Sequence, residues 1–479
     1  MIYNLKIKIK QKFGEGSLPI KIIDGIYGEI KKTIPLRFRY GKEYRLMLNF
    51  LNESQYWTKE KLEEYQYDKM SQLLNHAENY VLWYKKKFAE WGVNVKDFVN
   101  LGDIRKFPVV TKEEIRDNLD QFLDIRINKN SLMYVTTGGS TGIPFAFYQP
   151  SSLEKIDYAF FSHHWGWLDC KLSDLSVVLR GEYVGSEKKL FYFKPSKNEW
   201  HFSTYFLTEE NVRIYINKLN EIKPKFLQAY PSAVEILAKY LLDQNLKMDF
   251  KLAAIMCGSE NVYSDQVEII EKAFHTHVHC WYGQAERVCL APWTKNSRYY
   301  HVYPQYGLTE LLSDKGEEVT SEDEIGEIIA TGFHNLVMPL IRYKTRDLAL
   351  HTNKKSPDGI NFRLFSRIEG RLQELIVTSS GRLISMTAIN MHDNTFDNVK
   401  QFQFFQNEPG ILILRVIPNS NFGETDKNRI IDHIKNKIGK DTELILELVQ
   451  SIEKTKSGKL RFLIQHLPIN RWESLERIT

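Results

Sequence analysis

The spacing of hydrophobic residues changes character along this chain, and each change marks a different kind of element. Residues 60–90 carry apolar side chains at helical spacing, among them Leu62, Tyr65, Met70, Leu73, Leu74 and Ala77, with charges between them. Residues 1–105 read as mostly helical. The run Phe107-Pro-Val-Val-Thr-Lys-Glu-Glu-Ile-Arg116 is an extended piece leading into a helix. Thr111 is its N-cap and Glu114 sits three residues on, the capping-box pattern. From residue 152 the periods alternate. Helices are predicted over 152–168, 209–222, 232–242 and 263–274. Strands are predicted over 175–179, 226–230, 252–256 and 276–281. Strand and helix in turn imply βαβ units and a parallel sheet covered on both faces. Ligands of such sheets sit at the carboxyl ends of the strands, where residues 257–260 and 282–286 fall.

Beyond residue 325 the texture changes again. Residues 326–332 and 339–343 read as antiparallel strands. After Gly370-Arg371 a smaller α+β pattern follows, with strands over 374–378, 399–406, 411–417 and 443–449 and a helix over 426–438. The expected fold class is α/β. A helical N-terminal extension (1–105) precedes a large domain with parallel sheets and a β-strand subdomain (106–369), and a small mobile α+β domain (370–479) closes the chain. At 479 residues, two or three domains are the ordinary outcome.

Composition narrows the class without naming a chemistry. The chain is 43% hydrophobic and 26% charged, and 65 Lys+Arg against 60 Asp+Glu leave a net charge of +5. A balance that small for this length gives no reason to expect a nucleic-acid partner. The four cysteines, at 170, 257, 280 and 289, form no CxxC pair and suit a reducing compartment. The N-terminus, with alternating Lys and Ile up to Lys12, lacks the apolar core of a signal peptide, so the cytoplasm is expected. Membrane contact is peripheral at most, and a solvated basic edge is the simpler reading.

One stretch carries candidate chemistry by itself. Thr136, Thr137, Gly138, Gly139, Ser140, Thr141 and Gly142 place three glycines among four hydroxyls, followed by Ile143, Pro144 and an aromatic run. Glycines let backbone N–H groups approach a ligand closely, and the hydroxyls add donors, as a phosphate clamp requires. No Lys-Ser or Lys-Thr pair follows, so this is no Walker loop. A strand–loop–strand clamp and an ordinary Gly/Ser surface turn both fit these residues.

Five stretches taken in order resemble the motif series of the adenylate-forming superfamily. They are Thr136–Pro144 for its phosphate loop, Tyr282-Gly-Gln-Ala-Glu286 for YGxTE, Tyr343-Lys-Thr-Arg-Asp347, Gly370-Arg371-Leu-Gln-Glu374 for the hinge, and Thr455-Lys-Ser-Gly-Lys-Leu460 for the loop with a catalytic lysine. Residues 107–117 and 342–348 resemble most the phenylacetate–CoA ligase branch; within it, the loop of residues 138–142 and the basic, helical N-terminus resemble best the members found in capsular-polysaccharide gene clusters. The resemblance implies ATP, Mg2+ and a small carboxylic acid, with CoA or an amine or hydroxyl as acceptor. It implies phosphate contacts from 136–142, an adenine face from Gly258, Ser259, Glu260, Tyr282 and Gly283, and a ribose contact from Asp347. Glu286 is implied as the Mg2+ ligand. Lys459 and Arg371 are implied as catalytic cations, and Gln373 as the hinge. His163, His164, Trp167 and Tyr230 are implied to wall the acid pocket, which would then suit an aryl or sugar-like acid.

The chain departs from that pattern at Ala285, where the motif has Thr, and at Gln373, where the hinge has Asp or Lys. Transfer of adenylyl to a coenzyme hydroxyl or phosphate, as in deazaflavin-adenylylating relatives, and a non-catalytic nucleotide-binding scaffold are the alternative functions. A zinc site of His275, His277 and His279, which alternate as on one face of a strand, is disfavoured. Cys280 faces away from them, and no pair has ligand spacing.

Overall fold

A computed structural model describes residues 39–137, 145–182, 190–204, 207, 209–371, 375–379, 383–385, 394–396, 398–439, 441–453 and 461–467. In chain order the helices are α1 (Gly41–Ser54), α2 (Lys59–Tyr80), α3 (Leu82–Trp91), α4 (Lys112–Asp117), α5 (Ser152–Gly166), α6 (Glu209–Ile222), α7 (Pro231–Asp243), α8 (Ser264–Phe274) and α9 (Glu424–Ile438). The strands are β1 (Met133–Thr137), β2 (Phe145–Gln149), β3 (Ser176–Glu182), β4 (Phe191–Lys194), β5 (Glu199–Ser203), β6 (Phe226–Ala229), β7 (Ala254–Cys257), β8 (Val278–Gly283), β9 (Leu290–Pro292) and β10 (Tyr300–Val302). They continue with β11 (Gly307–Leu312), β12 (Ile325–Gly332), β13 (Tyr343–His351), β14 (Arg363–Arg371), β15 (Leu375–Val377), β16 (Leu383–Ser385), β17 (Val399–Glu408), β18 (Ile411–Pro418), β19 (Glu443–Leu448) and β20 (Leu463–Gln465). The chain forms two compact units: residues 1–52, 154–257 and 269–278 make the first, and 53–153, 258–268 and 279–479 the second.

In the first unit, β3 pairs in parallel with both β5 and β6, β6 pairs in parallel with β7, and β4 adds an antiparallel edge to β5. The βαβ pattern of the sequence is this sheet. One face meets α5, where Trp165 sets its edge against Phe226 at 5.3 Å. The other meets α6, where Tyr215 packs on Phe191 and Phe202. Strands β4 and β5 escape a periodicity reading because Pro195 and the polar run 196–198 split them into short pieces.

In the second unit, α2 is capped by Thr58, whose hydroxyl accepts from Lys61 N, and it buries Leu62, Met70, Leu73, Leu74 and Ala77. The helical stretch 60–90 is two helices, not one. Val81 leaves the helical region at φ −119°, its N–H still bonded to Ala77 O, and forms an isolated bridge with Asp124. An antiparallel sheet in the order β10-β14-β13-β12-β11 forms the β-strand subdomain. The strand expected over 339–343 is not formed. Strand β13 begins only at Tyr343, because Arg342 takes a left-handed conformation at φ 49°. The C-terminal sheet runs β19-β18-β17-β20, and Ile430, Ile434 and Ile438 of α9 pack on Phe404, Leu412, Leu414 and Val416.

The alternating histidines do not share a strand face. His275 ends the segment after α8 at φ 50°, and His275 and His277 are exposed; only His279 lies in β8, and it is buried. Burial, with a smaller contribution from His301, pushes the His279 imidazole down to about 3. Burial likewise pushes His163 down to about 4, against a weaker upward pull from a hydrogen bond with the Leu51 backbone. The unfolded chain takes up a proton near the ordinary 6.5, where the native residue stays neutral. Stability is therefore full above about pH 6.5 and falls as pH drops toward 4, because there the unfolded state binds more protons. Each such histidine costs about 2 kcal/mol by pH 5. Thermal melting is expected to drop by several degrees between pH 7 and pH 5, and His279→Asn to show a smaller drop. Equal slopes for the two proteins would contradict this.

Candidate active site

The glycine-rich loop closes a hairpin. Strands β1 and β2 pair antiparallel with Met133 opposite Gln149 and Thr137 opposite Phe145, so residues 138–144 are its connection. Gly138, Gly139, Ser140, Thr141 and Gly142 lie outside the described residues, as do Gln373 and Lys459; Thr136, Thr137 and Arg371 are described in their strands only. Where the loop returns, Phe145 is buried and its ring lies over Tyr343 at 6.1 Å and 24°. The two strands expected to flank this stretch are observed; the residues between them lie outside the described residues.

Glu286 sits in a turn, not at a helix start. Arg287 N donates to Gln284 O at 3.1 Å and the chain continues into β9. The Glu286 side chain is buried at 6% exposure, and two groups meet its Oε1: the Tyr343 hydroxyl donates at 2.7 Å, and the Lys112 ammonium lies 3.5 Å away. Its Oε2 has no partner among the described residues. Lys112 also lies 5.7 Å over the Phe145 ring and 5.9 Å over the Tyr343 ring, so a cation is held beside the strand that leaves the glycine loop.

Local structure explains how Lys112 arrives there. Thr111 accepts from Glu114 N while Glu114 accepts from Thr111 N, the reciprocal cap read from sequence, so Lys112 opens α4. The preceding residue, Val110, is stitched to β13: Val110 N donates to Arg342 O at 3.0 Å and Lys344 N to Val110 O at 2.8 Å. Arg342 anchors the same segment from below. Its guanidinium grips Glu310 through two bonds of 2.9 and 2.8 Å and donates to Phe107 O at 2.6 Å and Arg105 O at 3.2 Å. Burial pushes the Glu310 carboxyl above the usual range, and the Arg342 charge offsets part of that rise.

The second cluster lies further along the same strand. The Tyr282 hydroxyl donates to Asp347 Oδ2 at 2.7 Å and accepts from the Gln284 carboxamide. Burial and then the Asp347 charge push the Tyr282 hydroxyl well above its ordinary range, so it acts as a fixed neutral donor. Asp347 is buried, with its own N–H on Thr345 Oγ1, and Arg371 stands opposite it in the β13–β14 register. A Cβ on Gly258 would lie 2.9 Å from the Trp281 ring, so this residue must be glycine for the strand end to approach that ring. Ser259 follows in the left-handed region at φ 68°.

The second unit thus brings together Gly258, Ser259, Tyr282, Glu286, Asp347 and the strands flanking the glycine loop. Those expected of the acid pocket lie in the first unit. His163 and His164 are buried on α5, the His163 ring lies 5.2 Å from that of Trp167, and Tyr230 is the buried residue preceding α7. Lys112 and Tyr343 are functional candidates that motif order does not single out. The signal for Lys112 was present, since the same capping box that fixes the start of α4 fixes its position.

Residues 376–466 match the family model described as the CapK C-terminal domain. Protein CapK of Staphylococcus aureus is 27% identical over 93% of this chain and 97% of its own length. Phenylacetate-coenzyme A ligase of Escherichia coli (strain K12) is 41% identical over 66% of this chain and 73% of its own length. A crystal structure of 2-hydroxyisobutyryl-CoA ligase, in the postadenylation state with R3-HIB-AMP, superposes at a TM-score of 0.70 and 18% identity, over 89% of this chain and 94% of that one. The hairpin-borne glycine loop, the Tyr282–Asp347 pair and the fold agree with these likenesses: the chain belongs to the phenylacetate–CoA ligase branch of the adenylate-forming superfamily.

Proposed function

We propose that the protein is an ATP-dependent ligase that activates a small carboxylic acid as an acyl-adenylate and passes the acyl group to CoA or to an amine or hydroxyl acceptor. The observation that carries this is the joint placement of Glu286 and Lys112 beside the glycine-loop hairpin with the Tyr282–Asp347 pair on the adjoining strand. One end binds anions and cations, and the other offers a buried carboxylate of the kind that accepts from paired hydroxyls. In the reaction an acid oxygen bonds to the α-phosphorus of ATP and the bond to the β-phosphate bridging oxygen breaks, releasing pyrophosphate. Such steps are governed by positioning and charge stabilisation.

Glu286 fits a hard divalent cation. It is a buried carboxylate with one oxygen fixed by Tyr343 and Lys112, and the other has no partner among the described residues. Glu286 would hold Mg2+ there, and the ion would supply positive charge where pyrophosphate departs. Lys112 adds a second positive charge at the same place, and residues 136–142 add backbone and hydroxyl donors. Asp347 holds the ribose with Tyr282 fixing its carboxylate, and residues 258–260 with Tyr282 border the adenine. Lys459, from a small domain spanning 370–479 and hinged at Gln373, reaches the acid and α-phosphate. His163, His164, Trp167 and Tyr230 belong to the acid pocket, and their aromatic and polar mixture suits an aryl or sugar-like acid. The resemblance of residues 138–142 and the basic N-terminus to members found in capsular-polysaccharide gene clusters favours a role in surface-polysaccharide assembly.

Calorimetric titration tests the nucleotide site. The protein is expected to bind Mg·ATP and AMP competitively, and Asp347→Ala to weaken both by about tenfold or more, as loss of hydrogen bonds to a charged group implies. Absence of binding of either nucleotide to the wild-type protein would overturn the proposal. No helix among the described residues is long and apolar enough to cross a membrane.

A further inference from the structure

The turn that carries Glu286 is fixed more tightly than its length requires, and the residue fixing it is the next one, Arg287. Arg287 adopts φ 56°, a left-handed conformation that a side chain with a Cβ takes only when its surroundings impose it. The surroundings do so from two sides. A Cβ on Gly332 of β12 would lie 2.7 Å from Arg287 O, so the strand presses its bare backbone on this peptide. The Arg287 guanidinium donates through Nη1 to the carboxamide oxygen of Gln149, a residue only 3% exposed. Gln149 ends β2, the strand that leaves the glycine-rich loop at Phe145, and it points to the same side as Phe145 and Phe147.

We infer that Arg287 is a positioning residue that locks the Glu286 turn to strand β2, so that the Glu286 carboxylate keeps a fixed place against the strand that follows the glycine-rich stretch. The inference rests on the nucleotide site proposed above. The two parts lie far apart in sequence, and Phe145 stacked on Tyr343 ties them at only one end of β2. The Arg287–Gln149 bond supplies the tie at the other end. A ligand that bridges both parts, as a polyphosphate with its cation does, gains from that fixed spacing. A ligand that uses only the Tyr282–Asp347 end does not.

The test compares Mg·ATP with AMP, which lacks the β- and γ-phosphates, by calorimetry on the full chain. Arg287→Met and Gln149→Leu are each expected to weaken Mg·ATP by about tenfold, as loss of a charge-assisted bond implies, and to leave AMP within about twofold. The double variant is expected to be no weaker than Arg287→Met alone, because the arginine change already removes the bond to Gln149. Gln149→Glu, which keeps the acceptor, is expected to retain wild-type affinity. Parallel loss of both nucleotides, additive losses in the double variant, or no loss of Mg·ATP would each overturn the lock while leaving wild-type nucleotide binding intact. If Arg287→Met fails to fold, Gln149→Leu and Gln149→Glu carry the comparison alone. Wild-type protein that binds neither nucleotide would overturn the site and the lock together.

Discussion

Glu286→Gln is expected to lower acid-dependent ATP–pyrophosphate exchange by about two to three orders of magnitude, the scale seen when one preorganised charge-stabilising group is removed from an active site. The substitution keeps volume and the ability to accept from Tyr343, so the turn survives. It removes the charge that pairs with Lys112 and that a divalent cation requires. Without the carboxylate charge, the Lys112 ammonium is left beside neutral groups, the carboxamide at 286 and the Phe145 and Tyr343 rings. The loss is expected in kcat at saturating Mg·ATP, since charge develops on the leaving pyrophosphate in the transition state. AMP affinity, which depends on the Tyr282–Asp347 end, is expected to stay near wild type. Exchange within twofold of wild type at saturating Mg2+ would remove Glu286 from the catalytic machinery.

Arg342→Met is expected to be among the most destabilising single changes in the protein, about 3–5 kcal/mol, because it strands Glu310 as an uncompensated buried charge. Both residues are nearly inaccessible, at 4% and 5% exposure, and the same guanidinium also satisfies Arg105 O and Phe107 O. Removing both charges with Arg342→Met and Glu310→Leu together is expected to recover most of the loss, since a buried pair replaced by apolar groups of similar size is often near neutral. Thermal melting of the two variants separates the cases. The double variant tests function as well: with the anchor of residues 105–107 gone, Lys112 loses its fixed approach to Glu286, and exchange is expected to stay low after stability returns. A single variant that melts within a degree of wild type would contradict the role assigned to the pair.

Much of this architecture is legible in the sequence, and the failures have physical causes. The βαβ alternation, the Thr111 cap and the hairpin form of the glycine-rich stretch depend on local chemistry: period, cap residues and turn composition. So does α9, whose three isoleucines four residues apart face one sheet. The strand expected over 339–343 fails because Arg342 is turned into the left-handed region by its network with Glu310, a partner remote in sequence. The shared strand face of the three histidines fails for a related reason, since His275 is a left-handed residue before β8 begins. Periodicity cannot see one residue in an unusual conformation. Among candidate site residues, motif order brought out Tyr282, Glu286 and Asp347, while the Lys112–Glu286 contact depends on tertiary placement that no spacing rule encodes. The role of Arg287 is likewise invisible until Gln149 is found beside it.

The most direct measurement is ATP–pyrophosphate exchange by the full-length protein with Mg2+ across a broad panel of small acids, including aryl and sugar-derived ones, run beside Lys459→Ala. At least one acid is expected to support exchange in the wild-type protein and to lose it in the lysine variant, with Mg·ATP binding retained in both. Mg·ATP binding with no exchange for any acid, or exchange that persists undiminished in Lys459→Ala, would contradict the account of this protein as an acid-activating ligase working through that lysine.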